Sequence, residues 1–242
     1  MIELEQLTKR FGENTAVNHL TFQVAPGELF AFLGPNGAGK TTTIKMIVGL
    51  LRPDEGIVRV CGHDVLADPV PAKSRISYIP DQPYLYEKLS GREFLEFVGR
   101  MYGLGDGTLR DRIAGLTERF ALADFLDELS ERYSHGMKQR VVIAAALLHD
   151  PEVLVVDEPM VGLDPKTSRT VKDMLRDLAQ NGASVFMSTH TLSVAEELAT
   201  KIAIIDHGRL VAFGDLETIR TEAGGTGHLE EMFLQLTAEE EP

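Results

Sequence analysis

Length, composition and charge limit the classes to which this chain can belong. Its 242 residues, 43% of them hydrophobic, are enough to bury a sizeable core. Its 37 acidic residues outnumber its 24 Lys and Arg residues, and the net charge of −13 argues against a surface that neutralises nucleic-acid phosphates or anionic lipid. A single cysteine, Cys61, excludes an internal disulfide and favours a reducing, cytosolic setting. The longest apolar run, residues 141–148, is shorter than the roughly 20 residues of a spanning helix, so a membrane role would require another chain.

Short β segments are predicted in the first part of the chain. They are "IELEQL", "LTFQV" and "ELFAFLG", and a charged turn is predicted through "TKRFGEN". The third segment runs into a glycine-rich loop, and apolar residues at helical spacing after Lys40 predict a helix that stops before Pro53. "IVRVCG" is a further predicted strand. From about Ser90 to Tyr133 the pattern becomes helical, which indicates a separate helical lobe.

Strands and helices alternate in the second half of the chain. The predicted strands are "VLVVD", "SVFMS" and "IAIID", and the predicted helices run from Gly136 to His149 and through "SRTVKDMLRDLAQ" and "SVAEELA". This alternation implies a parallel sheet covered on both faces. "IAIIDHGRLVAFG" predicts a hairpin that turns at residues 207–208. A glycine-rich hinge, "AGGTG", a short helix, "HLEEMFLQL", and an acidic tail, "AEEEP", are expected to follow.

A phosphate-binding loop is indicated by "GPNGAGKTT", which matches the pattern G-x-x-x-x-G-K-[ST] between a predicted strand and a predicted helix. Glycines let backbone N–H groups converge on phosphate oxygens, and the start of the helix adds its positive dipole end. Lys40 is expected to reach the terminal phosphates, and the Thr41 hydroxyl is expected to bind Mg²⁺. The predicted nucleotide-binding residues of the loop are Gly34, Pro35, Asn36, Gly37, Ala38, Gly39, Lys40, Thr41 and Thr42.

Polar residues at the ends of two predicted strands are candidates for the chemistry. Asp157, at the end of "VLVVD", would hold Mg²⁺ through its carboxylate or a metal-bound water. Glu158 would project beyond the terminal phosphate and act as general base on the attacking water. His190, after "SVFMS", would donate to the terminal phosphate or orient that water. Beside a phosphate loop, these roles are favoured over solvated acids and a structural histidine, so we assign Glu158, His190 and Lys40 to catalysis and Thr41 and Asp157 to the metal.

A second anion site is indicated by "YSHGMKQR", just before the acidic strand. Ser134 is a candidate N-cap, and Gly136 leaves backbone N–H groups uncovered at a helix start. By the pattern alone, an ordinary capped helix is the simpler explanation of this segment. The pattern does not explain why one chain would have two anion sites.

With its motifs in this order, the chain resembles the ATP-binding subunit of ATP-binding cassette (ABC) transporters over nearly its whole length. The resemblance is carried by the phosphate loop, by "YSHGM" at the position of the family's signature, by the acidic strand "VLVVDE", by the D-loop "VGLD" and by the switch histidine His190. It implies an α/β fold: a P-loop NTPase (RecA-like) core with an antiparallel β subdomain and an inserted α-helical subdomain at about 84–135. The ATPase domain is expected to cover 1–220, and a short C-terminal helix with the acidic tail is expected at 221–242.

The resemblance also implies partners. Such subunits bind ATP and Mg²⁺, face a second identical or closely related subunit head to tail, and power a separate transmembrane permease at the cytoplasmic face of the cell membrane. The signature of one chain would contact the ATP held by the other, and Asp164 belongs to the D-loop. Phe11, in "KRFGEN", takes the place of an aromatic that stacks on adenine, although a core aromatic beside a turn is the alternative. The signature residues are Ser134, His135, Gly136 and Met137.

Two departures from the family pattern are visible. The signature keeps Ser134 and Gly136 but has Tyr133, His135 and Met137 where leucine, glycine and glutamine are commonest. The family's glutamine loop falls on Asp81, with Gln82 beside it, and which of the two approaches Mg²⁺ or the water is open.

The kind of transport is indicated by a further likeness. "LEEMFLQLT", together with "YSHGMKQR" and "LYEKLSGREFL", resembles ATPases of drug and other small-molecule exporters, so export of a small molecule is expected. The alternative is a soluble ABC-type ATPase that acts on nucleic acid or ribosomes, but the sequence has neither the long coiled coil of DNA-repair relatives nor the paired cassettes of ribosomal ones. A P-loop kinase would leave "YSHGM" and the adjacent pair Asp157 and Glu158 unexplained. No nucleic-acid partner is expected.

Overall fold

A computed structural model describes residues 1–222 and 228–237. The strands are β1 (Ile2–Phe11), β2 (Asn14–Val24), β3 (Leu29–Leu33), β4 (Glu55–Val60), β5 (His63–Asp64), β6 (Ile76–Ile79), β7 (Val153–Asp157), β8 (Ser184–Ser188), β9 (Lys201–Asp206) and β10 (Arg209–Gly214). The helices are α1 (Lys40–Ile47), α2 (Pro69–Lys73), α3 (Gly91–Met101), α4 (Asp106–Arg119), α5 (His135–Leu147), α6 (Pro165–Gln180), α7 (Leu192–Leu198), α8 (Leu216–Glu222) and α9 (Leu229–Leu236). The hinge predicted at "AGGTG" and the acidic tail predicted at "AEEEP" lie outside the described residues.

A mostly parallel sheet forms the centre of the protein. Its strand order is β10-β9-β3-β8-β7-β6, and β10 runs antiparallel to β9. Every residue of β3, β7 and β8 is buried. Along β3, Leu29, Ala31 and Leu33 pack into one apolar cluster, and the alternating residues Phe30 and Phe32 pack into another. The predicted parallel sheet with both faces covered is therefore confirmed.

The carboxyl ends of three neighbouring strands meet at one edge of this sheet. In the register, Ser188 of β8 pairs with Phe32 of β3 on one side and with Asp157 of β7 on the other. The phosphate loop follows β3, Asp157 ends β7, and His190 comes shortly after β8. Because ligands of open α/β sheets bind at the carboxyl ends of the strands, this edge positions the candidate site.

A smaller antiparallel sheet with the order β2-β1-β4-β5 packs beside the core. The charged turn predicted through "TKRFGEN" is wrong over most of its length, because β1 and β2 continue on both sides and leave residues 12–13 as the turn. The charges are accommodated on the strand: Lys9 Nζ lies 3.0 Å from Asp54 Oδ1, and an Arg10 nitrogen lies 2.6 Å from Glu55 Oε1. Cross-strand pairing therefore stabilises a segment whose composition resembles a loop.

A helical lobe, which consists of α3, α4 and the turns up to α5, packs against α5. Its first helix begins with a capping box, in which Ser90 Oγ accepts from the Glu93 backbone N–H at 3.2 Å and Glu93 Oε2 accepts from the Ser90 backbone N–H at 2.8 Å. The helical pattern predicted from Ser90 to Tyr133 is interrupted by non-helical residues 102–105 and 120–129. No helix among the described residues is long and apolar enough to cross a membrane.

Several boundaries depend on contacts that the local pattern does not contain. The elements β5, β6, α2 and α8 were not predicted, and β6, the short segment "ISYI", owes its place to parallel pairing with β7. Helix α1 ends at Ile47, earlier than predicted, and Gly49 just beyond it has a left-handed φ of 68°. Helix α6 begins earlier than predicted, at Pro165, because Asp164 caps it. The strands "VLVVD" and "SVFMS" and the hairpin at 207–208 are confirmed.

Candidate nucleotide-binding site

The phosphate loop connects β3 to α1 and lies close to neighbouring backbone. A Cβ on Gly34 would lie 2.4 Å from the carbonyl oxygen of Ile205, and a Cβ on Gly39 would lie 2.3 Å from that of Ala16. Gly39 also has a φ of 103°, which residues with a side chain rarely adopt. Glycine is therefore required at both positions, and the loop can bring backbone N–H groups to the start of α1.

The Lys40 amino group lies over this loop. Its Nζ donates to the carbonyl oxygens of Gly34 at 2.6 Å and Pro35 at 3.0 Å. Burial lowers the pKa of Lys40, and the negative charges of Glu158 and Asp157 oppose that effect. Phosphate oxygens would replace the two carbonyl acceptors and add the negative charge that a half-buried ammonium group favours.

Asp157 is the buried carboxylate of the site. It is 4% exposed, and its Oδ1 accepts a hydrogen bond from the Ser188 hydroxyl on the neighbouring strand. Burial raises the pKa of Asp157, although the hydrogen bond from Ser188 opposes this. The nearby charges of Asp81 and Glu158 raise the pKa of Asp157 further. A cation beside this carboxylate would relieve the unfavourable burial of its charge.

Glu158 and His190 are in direct contact. Glu158 Oε1 accepts from the His190 backbone N–H at 2.8 Å and lies 2.7 Å from Nδ1 of the imidazole ring. The Thr189 hydroxyl donates to Glu158 Oε2 at 3.2 Å. Glu158 has a φ of 49°, a left-handed conformation that is uncommon for a residue with a side chain and recurs at functional sites. Three hydrogen-bonding groups at the end of β8 therefore hold the carboxylate that was predicted to be the general base.

Lys40, Asp157, Glu158 and His190 line one open cavity of about 320 Å³. The structure thus brings together all the side chains that were predicted to be catalytic or to bind the metal. They are Lys40, Thr41, Asp157, Glu158 and His190. Of the two alternatives at the glutamine loop, Asp81 belongs to this wall, whereas Gln82 lines a neighbouring cavity. The wall consists of Ala16, Asn36, Gly37, Gly39, Lys40, Thr41, Thr42, Asp81, Asp157, Glu158 and His190.

The signature segment lies at the start of α5. Ser134 caps this helix, and its Oγ accepts from the Met137 backbone N–H at 3.3 Å. The ring of His135 packs against Gly162 of the D-loop. The approach is so close that a Cβ on Gly162 would lie 2.4 Å from the ring's Cδ2. The described residues that line the 320 Å³ cavity do not include Ser134, Gly136 or Met137. His135 lines the neighbouring cavity together with Glu158, whereas these three residues are not among the described ones that line the cavity of their own chain's phosphate loop.

Asp164 and Phe11 are also absent from the described residues that line the 320 Å³ cavity. Asp164 caps α6 and accepts from the backbone N–H groups of Lys166 and Thr167, both at 3.0 Å. Phe11 ends β1 and is 52% exposed, with Lys9 Nζ 5.6 Å from its ring centroid. The alternative that Phe11 is a core aromatic is therefore wrong, and its ring is exposed enough to stack on a base.

Ala16, Ser188 and Thr189 belong to the site but were not predicted from the sequence. Ala16, on β2, borders the loop through its carbonyl oxygen, and nothing in the surrounding residues marks it. Ser188 and Thr189 stand in "MSTH", directly before His190. The parallel pairing of β8 with β7 is the signal that places a hydroxyl beside Asp157.

Fold and site together define an ATPase of the P-loop class. The phosphate loop follows the central strand β3. Asp157 and Glu158 stand at the end of β7, which is separated from β3 by β8. The family model for "ABC transporter" matches residues 17–161, and the chain belongs to this family.

Individual relatives agree with this assignment. The "Daunorubicin resistance ATP-binding protein DrrA3" of Streptomyces coeruleorubidus is 41% identical over 93% of this chain and 71% of that protein. A solved structure of an "ATP binding subunit of ABC transporter" matches with a TM-score of 0.94 and 34% identity, over 98% of this chain and 99% of that one. A dimeric, post-hydrolysis state of the ATP-binding cassette MJ0796, bound to ADP and Pi, matches with a TM-score of 0.82 and 25% identity, over 89% of this chain and 99% of that one. The chain is an ATP-binding subunit that hydrolyses ATP to drive transport.

Proposed function

We propose that the chain powers export of a small molecule through a separate membrane-spanning permease, to which it binds at the cytoplasmic face of the membrane. The similarity over 93% of the chain to an ATP-binding protein named for daunorubicin resistance carries this proposal. Resistance of a cell to a toxic small molecule fits ATP-driven removal of that molecule. The likeness of "LYEKLSGREFL" and "YSHGMKQR" to exporter ATPases agrees with the same direction of transport.

An exposed aromatic patch formed by α3 and the segment before it supports a docking surface for the permease. Tyr84, Tyr86 and Phe97 are all exposed. The ring centroid of Tyr86 lies 5.9 Å from those of both Tyr84 and Phe97. Exposed apolar patches mark sites of protein interaction, and this one follows Asp81 of the cavity wall closely in the chain. A permease segment on the patch would therefore be coupled to the nucleotide through a short connection.

The donor set of Thr41 and Asp157 fits Mg²⁺. Both side chains offer oxygen atoms, which Mg²⁺ prefers, on the same cavity wall as Lys40. The raised pKa of Asp157 reflects a buried negative charge that a cation would compensate. Held by Thr41 and Asp157, Mg²⁺ would offset the negative charge of the phosphate groups. Asp81 is a third acidic side chain on this wall, beside Asp157 and Glu158.

Glu158 would act as general base, with His190 as its positioning partner. The hydrogen bonds from His190 and Thr189 hold the Glu158 carboxylate at the edge of the cavity, where it can accept a proton from water beyond the terminal phosphate. Lys40 would stabilise charge on the phosphate oxygens. In phosphoryl transfer most of the rate enhancement comes from such positioning and charge stabilisation.

The signature would complete the nucleotide site of a second subunit. Ser134 and Gly136 lie at a helix start, which suits an anion, but outside the described wall of their own chain's phosphate cavity. In a head-to-tail dimer they would reach the terminal phosphate held by the partner, with the D-loop of Asp164 at the interface. ATP would then contact both chains in the closed state and one chain in the open state. This difference in affinity would drive closure, and hydrolysis would reverse it.

A role on nucleic acid or ribosomes is not favoured. The net charge of −13 opposes binding to a phosphate backbone, and the matched relative is named for drug resistance. A transporter subunit would be found with the membrane, whereas a protein that acts on nucleic acid or ribosomes would not. The location of the protein can be measured directly.

Phe11→Ala is expected to weaken ATP binding by about 5- to 100-fold, because stacking of an aromatic ring on a base contributes roughly 1–3 kcal/mol. The rate at saturating ATP should change little, since adenine is remote from the reacting phosphate. Calorimetric titration with ATP and with inorganic triphosphate measures the effect, and the triphosphate affinity should be unchanged. Phe11→Tyr keeps the ring and is the matched control. An unchanged ATP affinity in Phe11→Ala would show that the ring does not stack on the base.

The proposed permease is tested by purifying the tagged protein from detergent-solubilised native membranes and identifying the co-purifying proteins by mass spectrometry. A stoichiometric, polytopic membrane protein is expected. The double variant Tyr84→Ala and Tyr86→Ala should lose this partner and keep ATP binding, whereas Leu234→Ala, an exposed apolar residue of α9, should retain it. Recovery of soluble partners alone, with the protein absent from membranes, would contradict the proposal.

A further inference from the structure

Tyr133, the residue directly before the signature Ser134, is 6% exposed, and its hydroxyl lies deep in the helical lobe. The hydroxyl oxygen accepts from the Gly91 backbone N–H at 3.0 Å. Its single proton has three carbonyl oxygens within reach, those of Phe125 at 2.8 Å, Glu128 at 3.0 Å and Leu126 at 3.3 Å. The Tyr133 ring packs edge-on against the Phe125 ring, with centroids 5.0 Å apart. A single side chain thus joins the signature to the start of α3 and to the turn after α4.

Gly91 is matched to this hydroxyl. A Cβ on Gly91 would lie 2.8 Å from the Tyr133 hydroxyl oxygen, which is closer than real Cβ contacts. Gly91 is the first residue of α3, where a backbone N–H has no partner within the helix. The tyrosine hydroxyl supplies that partner. Leucine, the commonest family residue at this position, would fill space but leave the N–H without an acceptor.

We propose that the Tyr133 hydroxyl is a positioning group that holds Ser134 in the arrangement needed to contact the partner subunit's ATP. This inference rests on the proposed dimer, in which the signature closes over the nucleotide of the other chain. A segment that is already fixed loses less conformational entropy when ATP closes the dimer. Without the hydroxyl, the residues between the lobe and α5 would have to be ordered at closure, and closure would require more ATP. Binding of ATP to the phosphate loop of a single chain would not change, because Tyr133 lies outside the described wall of that cavity.

The test uses a Glu158→Gln parent, in which ATP is bound but not consumed, and measures the fraction of dimer against ATP concentration by light scattering. Tyr133→Phe should raise the ATP concentration at half-maximal dimer by about 3- to 10-fold, the ratio that corresponds to one buried hydrogen bond. The Kd of ATP for the open chain, measured with Ser134→Arg added to each variant to prevent closure, should stay the same. Hydrogen exchange at the Gly91 amide should become faster.

A control with the same chemical change separates an effect at the signature from the loss of a tyrosine hydroxyl elsewhere. Tyr102→Phe removes the hydroxyl of a side chain that is 38% exposed and donates to the Ile76 carbonyl oxygen at 3.3 Å, away from the signature. It should leave the ATP concentration for closure unchanged.

The possible results separate the inference from the proposed function. Closure of Tyr133→Phe at the ATP concentration of the parent, or an equal shift in Tyr102→Phe, would overturn the inference and leave the dimer intact. Failure of the parent to dimerise with ATP would overturn the proposed dimer, and closure in Ser134→Arg would overturn the contact of the signature with the partner's ATP; either result overturns the inference as well. A shift in Tyr133→Phe, with Tyr102→Phe unchanged and the Kd of the open chain unchanged, supports both.

Discussion

Glu158→Gln is expected to lower steady-state ATP hydrolysis by about 10²-fold or more while ATP binding is retained. Glutamine has nearly the same shape as glutamate and can still accept from the His190 backbone N–H, which lies 2.8 Å from Glu158 Oε1. It cannot take a proton from the attacking water. Phosphate release under multiple turnover measures the loss of hydrolysis, and size-exclusion chromatography with ATP should reveal an accumulated dimer.

The matched control is Glu118→Gln, which changes an exposed glutamate on α4 in the same way. It should hydrolyse ATP at the rate of the unmodified protein and should not accumulate a dimer. Turnover of Glu158→Gln within a few-fold of the control would show that Glu158 is not the general base. Loss of ATP binding together with hydrolysis would instead assign the carboxylate to nucleotide or metal binding.

Ser134→Arg and Lys40→Ala are each expected to abolish hydrolysis in a homodimer and to restore part of it when mixed. In a head-to-tail dimer, the intact phosphate loop of one subunit would meet the intact signature of the other. A mixed dimer would then contain one complete site, so an equimolar mixture should recover roughly a quarter of the unmodified activity if the sites act independently. Phosphate release after co-refolding or co-expression of differently tagged chains measures the recovery.

The control for the arginine substitution is Thr108→Arg, on the exposed surface of α4. It should remain active alone and should give no further gain when mixed with Lys40→Ala. Normal hydrolysis by the Ser134→Arg homodimer would refute the contact between the signature and the partner's nucleotide. A silent mixture, with ATP still bound by Ser134→Arg, would show that one complete site does not suffice.

The family could be recognised from the sequence because its motifs are local. The phosphate loop, the strands "VLVVD" and "SVFMS", and the position of His190 depend on residue types within a few positions of one another. The predicted family, the P-loop fold and ATP hydrolysis in transport are confirmed by the comparisons. The roles of individual side chains remain predictions, and the substitutions above test them.

Other features depend on pairs that are distant in the chain. The strand β6 was missed because four residues have too little pattern, and its parallel partner β7 lies beyond the whole helical lobe. The exposure of Phe11 was undecided because an aromatic ring suits both a core and a surface contact. Asp81 and Gln82 are adjacent, and neighbouring residues of an irregular loop carry no sign of which one faces the phosphate cavity.

The sequence by itself determined which groups this protein has for its chemistry: a glycine loop for phosphate, acids and a histidine at strand ends, and a second capped helix start. Tertiary structure alone decided where they meet. The register of β3, β8 and β7 places Lys40, Asp157 and His190 on one cavity and turns Glu158 onto His190. Packing against the helical lobe fixes the Tyr133 hydroxyl between Gly91 and Phe125, and Ser134 is not among the described residues that line that cavity. The reason is that motif residues are specified by local chemistry, whereas distances between them follow from strand pairing and side-chain packing, which no short stretch of sequence contains.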